Sequence, residues 1–235
     1  MSVKFKLRWP SAVIGAACVA IVTSACLALP WRLRAHPNHH LLILQEDFAP
    51  GTLDRWQMPY PEDWVIVAED GFHYLHMVRA RSAGVPRRPL QFARLKNVRV
   101  GSFDLTARVR RQQGSIIVVF NYVDTLHFYY AHLSRDSGAV QPVHNGIFLV
   151  DGAPRRRIAG VHAAPALPDH SWHTVRLVRN VRSGLIQVFM DGKTHPLFSV
   201  IDHTFKCGQI GIGSFDEKGD FARLRLRSAD AGCSE

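Results

Sequence analysis

The chain has 235 residues, 47% of them hydrophobic and 20% charged, with 29 Lys plus Arg against 19 Asp plus Glu and a formal net charge of +10. That composition excludes wholesale disorder, and the length suits one domain with an appendage. The charge must be located before a partner is assigned to it, because basicity of this size otherwise suggests nucleic acid.

The first element in chain order is a targeting segment over residues 1–35. Lys4, Lys6 and Arg8 precede an uncharged stretch from Trp9 to Trp31, whose centre, Ser11 to Leu29, is small and apolar throughout. A basic n-region followed by an apolar h-region is the pattern of a secretory signal, with Ala25 and Ala28 as small residues for cleavage. The same run approaches the ~20 residues that a membrane-spanning helix needs. Both readings, a cleaved signal peptide and a retained membrane anchor, export residues 36–235. Residues 1–35 hold five basic side chains and no acid, leaving 24 basic against 19 acidic residues in the remainder. Half of the net charge therefore belongs to the address. With no nucleic-acid motif or recognition helix, nucleic acid is not an expected partner.

From Leu41 onward apolar residues recur at period two, which predicts an all-β domain of about a dozen strands. Phe103, Leu105, Ala107 and Val109 alternate with Asp104, Thr106, Arg108 and Arg110; Ala222, Leu224 and Leu226 alternate with Arg223, Arg225 and Arg227. Ser115 to Val123 is almost continuously apolar, as in a central strand covered on both faces. Asp70-Gly71, Asp151-Gly152 and Asp191-Gly192 are hairpin turn signals. So many antiparallel strands in two hundred residues must close or stack to protect their edges, and a two-sheet jelly-roll sandwich does so.

The segment His127 to Ser134 carries the most chemistry. Its alternation puts Tyr129, Ala131 and Leu133 in the core and Phe128, Tyr130, His132 and Ser134 on the opposite face. A ring, a phenol and an imidazole on one strand face suit a sugar site, where aromatics stack on apolar sugar faces and polar groups bond hydroxyls. Asn121 on the preceding strand and His144 and Asn145 beyond it flank that face. The chain has 13 histidines, yet His73 and His76 are three apart on a strand and point to opposite faces, so they cannot share a metal ion. The row Arg223, Arg225, Arg227 could meet sulfate or uronate groups or serve as a solvated outer face. Cys207 and Cys233 lie outside the apolar run and either bridge in an oxidising compartment or remain thiols.

The order of segments carries a resemblance. Glu46-Asp47-Phe48 and Trp56 open it, and Trp172 to Leu177 leads into Ile186 to Gly192. Gly208-Gln209-Ile210-Gly211-Ile212-Gly213 precedes the final alternating strand. This succession, over residues 41–228, resembles the concanavalin A-like lectin/glucanase superfamily and is most similar to its laminin-G-like and 3-keto-disaccharide-hydrolase-like branches. The resemblance implies a jelly roll whose concave sheet, here around Asn121, Tyr130, His132 and Asn145, faces a carbohydrate partner. It also implies a possible Ca²⁺ between the first and last strands, with Glu46, Asp47, Asp216 and Asp220 as ligands beside Glu217. Glucanase members use Glu-x-Asp-x-Glu, and no such motif stands in this sequence. The alternatives to a glycan-binding module are a sugar-cleaving enzyme of the disaccharide-hydrolase-like kind and a laminin-G-like protein-binding domain.

Overall fold

A computed structural model of the protein describes residues 41–138, 144–230 and 233, so the Trp9–Trp31 segment lies outside the described residues. Within them no helix is long and apolar enough to cross a membrane. The chain runs through β1 (Leu41–Glu46), β2 (Trp56–Gln57), β3 (Trp64–Glu69), β4 (Phe72–Met77) and β5 (Gln91–Leu95). It continues through β6 (Phe103–Arg111), β7 (Ser115–Asp124), β8 (His127–Ser134), β9 (Gly146–Asp151) and β10 (Arg156–Ala159). Then come β11 (His173–Asn180), β12 (Leu185–Met190), β13 (Phe198–Ile201), β14 (Gln209–Ser214) and β15 (Gly219–Ser228). Sheet I has the order β13-β12-β11-β6-β15-β4-β3, with β1 also paired to β15; sheet II has the order β10-β9-β8-β7-β14-β5-β2. The pairings are antiparallel, and the result is the two-sheet jelly-roll sandwich that the alternation predicts.

The inward rows read as expected. Phe103, Leu105, Ala107 and Val109 of β6 and Tyr129, Ala131 and Leu133 of β8 enter the inter-sheet core. Asp70-Gly71 and Asp191-Gly192 both have positive φ at both residues, the left-handed pair that a tight hairpin turn needs. The glycines of the Gly208–Gly213 stretch let β14 lie close between β5 and β7. A Cβ on Gly213 would sit 2.3 Å from the Gln91 carbonyl oxygen, and one on Gly208 would sit 2.3 Å from the Asn121 carbonyl carbon. No other residue fits there without separating the strands.

Strand β15 serves two neighbours. Its first residues pair with β4, through Asp220 with His76 and Phe221 with Leu75, and its later residues pair with β1. A bulge between Ala222 and Arg225 divides the two halves and leaves Arg223 at φ 48°. Beyond β15 the tail returns to the start of β14 through a disulfide between Cys207 and Cys233, with Cα atoms 5.8 Å apart.

Sheet II is covered on its outer side as well as its inner side. Phe92, Ile117, Val119, Tyr122, Phe128, Tyr130, Phe148, Val150 and Phe215 form a second buried cluster there, with Ala83 packed against it. The cover is the segment between β4 and β5. Arg88 Nε donates to the Thr125 carbonyl at 2.7 Å, Arg155 N donates to the Arg87 carbonyl at 2.9 Å, and the Arg87 guanidinium lies 4.9 Å from the Phe215 ring centre. The base of this segment is clamped by Asp63, fully buried, which accepts from Arg81 Nε at 2.6 Å, Arg81 Nη2 at 2.9 Å and Gln91 Nε2 at 2.9 Å.

Candidate functional site

The alternation of β8 is as the sequence predicts, but its outer face is not open. Phe128, Tyr130 and His132 are 0% exposed, because the 79–90 segment and Phe215 lie over them. Tyr130 stacks on Phe148 with ring centres 5.2 Å apart, and His132 stacks on Phe215 at 5.6 Å. Asn121 and Asn145 are buried too, and both hold backbone. Asn121 sits at φ 43° in a bulge of β7 and donates to the Val100 carbonyl at 2.9 Å. Asn145 donates to the Ala164 carbonyl at 2.8 Å and accepts from Ala166 N at 3.2 Å. His144 is partly exposed and meets His132 at a tilt, with ring centres 4.9 Å apart. The expected sugar-stacking row is therefore corrected to a second core with a polar end, closed by residues remote in sequence.

That polar end is a directed chain of hydrogen bonds. Arg155 has no lone pair, so at 3.1 Å it must donate to His132 Nδ1, as it does to the Tyr130 hydroxyl at 3.0 Å. His132 then carries its proton on Nε2 and donates to Ser115 Oγ at 2.9 Å, and the Ser115 hydroxyl donates to Glu217. Ser115 and His132 are thus not a nucleophile and its base, since the imidazole proton already points at the serine oxygen. Burial first, and then the neighbouring Arg155, His144 and Arg87 charges, hold the His132 pKa well below the usual histidine range. The unfolded chain takes up this proton below about pH 6.5 while the folded chain does not. Stability therefore falls toward acid by up to about 1.4 kcal/mol per pH unit from this residue. His144, lowered mainly by burial, adds to the trend. His173 opposes it, because its bonds to Asp191 and Asp169 outweigh burial and raise its pKa. His132→Gln keeps a donor and an acceptor and is expected to flatten the acid limb. Urea melts of both proteins at pH 7, 6 and 5 check this, and equal slopes would contradict a buried neutral imidazole.

The acidic residues considered for Ca²⁺ do not converge. Glu46 is 1% exposed and accepts from Phe48 N at 2.8 Å and Trp56 Nε1 at 3.3 Å, whereas Asp47 is exposed. The β14–β15 turn crosses from one sheet to the other and so separates its acids. Asp216 stands two residues past the end of β14 of sheet II, while Asp220 accepts from His76 at 2.6 Å and Arg110 Nε at 2.7 Å on the outer face of sheet I. Among the described residues no group of three or more His, Cys, Asp or Glu is disposed to hold a metal ion. The four carboxylates do not fit a shared cation, because hydrogen-bond donors already occupy Glu46 and Asp220.

The outer face of sheet I holds what the β8 reading lacked. Phe72 and Tyr74 alternate with Leu75 and Met77 on β4, so they point away from the core, and Trp172 stands just before β11. Trp172 meets Phe72 edge-on at 5.7 Å and Tyr74 at 5.4 Å between ring centres. Phe72 and Trp172 are partly exposed, while Tyr74 beneath them is 7% exposed. Three arginines frame the rings. Arg108 lies 5.1 Å from Phe72 and 5.2 Å from Trp172, Arg110 lies 4.6 Å from Trp172, and Arg223 lies 5.2 Å from Phe72. Burial, then the Asp220 and Glu69 charges, push the Tyr74 phenol up from its ordinary pKa. The period-two spacing of Phe72, Tyr74 and His76 on β4, with Arg108 and Arg110 on β6 beyond β15, is the local signal for this face, and Trp172 joins it from the start of β11.

The chain matches no protein-family model and no curated protein sequence. Solved structures do match. The carbohydrate-binding module CBM66 from Bacillus subtilis superposes with a TM-score of 0.54 at 13% identity, covering 74% of this chain and 96% of the module. A Bacillus subtilis protein with a galectin-like fold gives a TM-score of 0.54 at 12% identity, covering 82% of this chain and 97% of that one. A xylan β-1,4-xylosidase from Bacillus halodurans gives 0.53 at 12% identity, over 78% of this chain and 39% of the xylosidase. The chain shares the concanavalin A-like sandwich fold of these proteins.

Proposed function

We propose that the protein is an exported glycan-binding module whose binding face is the outer side of sheet I, at Phe72, Tyr74 and Trp172. The observation that carries this reading is a partly exposed aromatic cluster held on a rigid sheet beside arginine and carboxylate side chains. Aromatic faces there stack on the C–H faces of a sugar ring, and the neighbouring polar groups bond its hydroxyls. The burial of Phe128, Tyr130 and His132 removes the competing face on sheet II. The fold supports the same class coarsely, since a carbohydrate-binding module and a xylosidase have it. Export is supported by the Trp9–Trp31 sequence and by the Cys207–Cys233 disulfide, which is at home in an oxidising compartment. A retained segment would also place the module at a membrane.

The test is affinity electrophoresis of the full chain against a panel of immobilised polysaccharides. Trp172→Ala is expected to weaken binding to any retained glycan about tenfold with the melting temperature nearly unchanged. Retardation identical to that of the unmodified chain would move the binding face elsewhere.

A further inference from the structure

The cations around the Phe72 ring are not neutralised. Arg108 and Arg223 lie 5.1 and 5.2 Å from the same ring centre, and among the described residues no carboxylate pairs with either. Of the acids on this face, Asp220 and Glu69 are already engaged, and the exposed Asp47, which lines the same cavity as Arg223, forms no ion pair with it. Asp220 is 0% exposed and receives Arg110 Nε at 2.7 Å, His76 Nδ1 at 2.6 Å and Gln112 Nε2 at 2.5 Å. Glu69 receives Arg110 Nη2 at 3.2 Å. Burial first, and then the Arg223 and Arg110 charges, pull the Arg108 guanidinium down from its ordinary pKa.

Two further features localise the excess charge. Arg223 is held in a left-handed conformation by the β15 bulge, a conformation that costs a non-glycine residue about 1 kcal/mol or more and persists only where surrounding structure enforces it. The same bulge opens a cavity of about 310 Å³ lined by Gln45, Asp47, Thr106, Arg223, Leu224 and Arg225, a volume at the lower end of ligand pockets. Arg225 stands on its wall, donating to Gln45 Oε1 at 3.3 Å.

We infer that the glycan bound on this face is anionic, its carboxylate or sulfate groups meeting Arg108 and Arg223 while the Phe72–Trp172 cluster takes the sugar ring. The inference rests on the glycan-binding reading above and adds its substrate class. A planar guanidinium matches a carboxylate or sulfate with paired N–H donors. A bed of partly desolvated aromatics strengthens that attraction relative to open water. A neutral glycan would leave both charges uncompensated beneath it.

The experiment measures dissociation constants of the full chain for polygalacturonate, chondroitin sulfate, neutral xylan, DNA and phosphatidylserine vesicles. At least one of the two anionic glycans is expected to bind about tenfold or more tightly than xylan, with affinity falling as salt rises. Arg108→Gln combined with Arg223→Gln should reduce that binding to the xylan level. The exposed Arg223→Gln alone should give an intermediate loss if the double variant fails to fold. Arg156→Gln, which removes an exposed cation from β10 of sheet II, should leave binding unchanged. If xylan binds as tightly as the anionic glycans, or if the arginine variants bind normally while Trp172→Ala does not, the anionic inference fails and the glycan reading stands. If no glycan binds, both fall. If DNA or vesicles bind as tightly and compete at the same arginines, the face is not a glycan site.

Discussion

Replacing Asp63 with alanine is expected to lower the unfolding free energy by about 3 kcal/mol and to loosen the 79–90 segment before the sandwich unfolds. The carboxylate is 0% exposed and accepts three side-chain hydrogen bonds, two from the fork of Arg81. Gln91, one of its donors, also receives Arg81 N at 2.9 Å and donates to the Arg79 carbonyl at 2.7 Å. One carboxylate thus fixes both ends of the covering segment. Its loss strips Arg81 Nε of its acceptor, while Arg81 Nη2 keeps Glu62 at 2.8 Å and Gln91 Nε2 keeps the Arg79 carbonyl. Arg81 is partly exposed and can be rehydrated, which keeps the cost toward the low end for a broken buried pair.

The Arg81 hydrogen bond, against the opposing effect of burial, holds the Asp63 carboxyl below the usual carboxylate range. The folded state therefore binds this proton less readily than the unfolded chain does. The stabilisation is present above about pH 4 and is lost as pH falls through the folded pKa. Two measurements check the clamp. Denaturant midpoints should drop for Asp63→Ala at pH 7, with a smaller drop for Asp63→Asn, which keeps an acceptor. Trypsin should cut Asp63→Ala after Arg87 under conditions in which the unmodified chain resists. Unchanged midpoints and unchanged cutting would show that the segment is held by its packing alone.

What could be read in the sequence follows from which interactions are local. Strand parity is local, so the inward and outward rows of β6, β8 and β15 came out correctly, as did the Asp-Gly turns. The covering of sheet II was in part legible, because Ser115 to Val123 has apolar residues on both faces. In the structure Ile117 and Val119 face outward beside His132 and Tyr130, their partners in the β7–β8 register. A face apolar on one strand cannot be an open polar site on the next. What the sequence does not disclose is the cover itself, which comes from residues 79–90 and depends on a contact between Arg81 and Asp63, 18 positions apart. Arg155 illustrates the same limit. In the sequence it is one of three consecutive arginines, yet in the fold its guanidinium lies 4.2 Å from the Phe215 ring centre and bonds Tyr130 and His132. The aromatic face of sheet I had a period-two signal at Phe72 and Tyr74, but its third member, Trp172, arrives from another strand.

Removing the Cys207–Cys233 bond is expected to cost about 3.5 kcal/mol by loop-closure entropy, given a sequence separation of 26. For a domain of this size that is a fall in melting temperature of about 10 °C. The tail has a second attachment, since Asp230 accepts from Gly101 N at 3.2 Å and from Ser102 N at 2.8 Å. Native register at the end of β15 should therefore survive reduction, and the loss should come mainly from the freed unfolded chain. Reductant should then lower the melting temperature of the unmodified chain but leave that of a Cys207→Ser, Cys233→Ser double variant where it already lies. Equal melting temperatures for the two proteins without reductant would mean that the bond does not constrain the unfolded state. The stabilisation exists only where thiols oxidise, so a domain that relies on it keeps its full margin only in an oxidising compartment. The same comparison measures how much of the fold's stability depends on an oxidising environment.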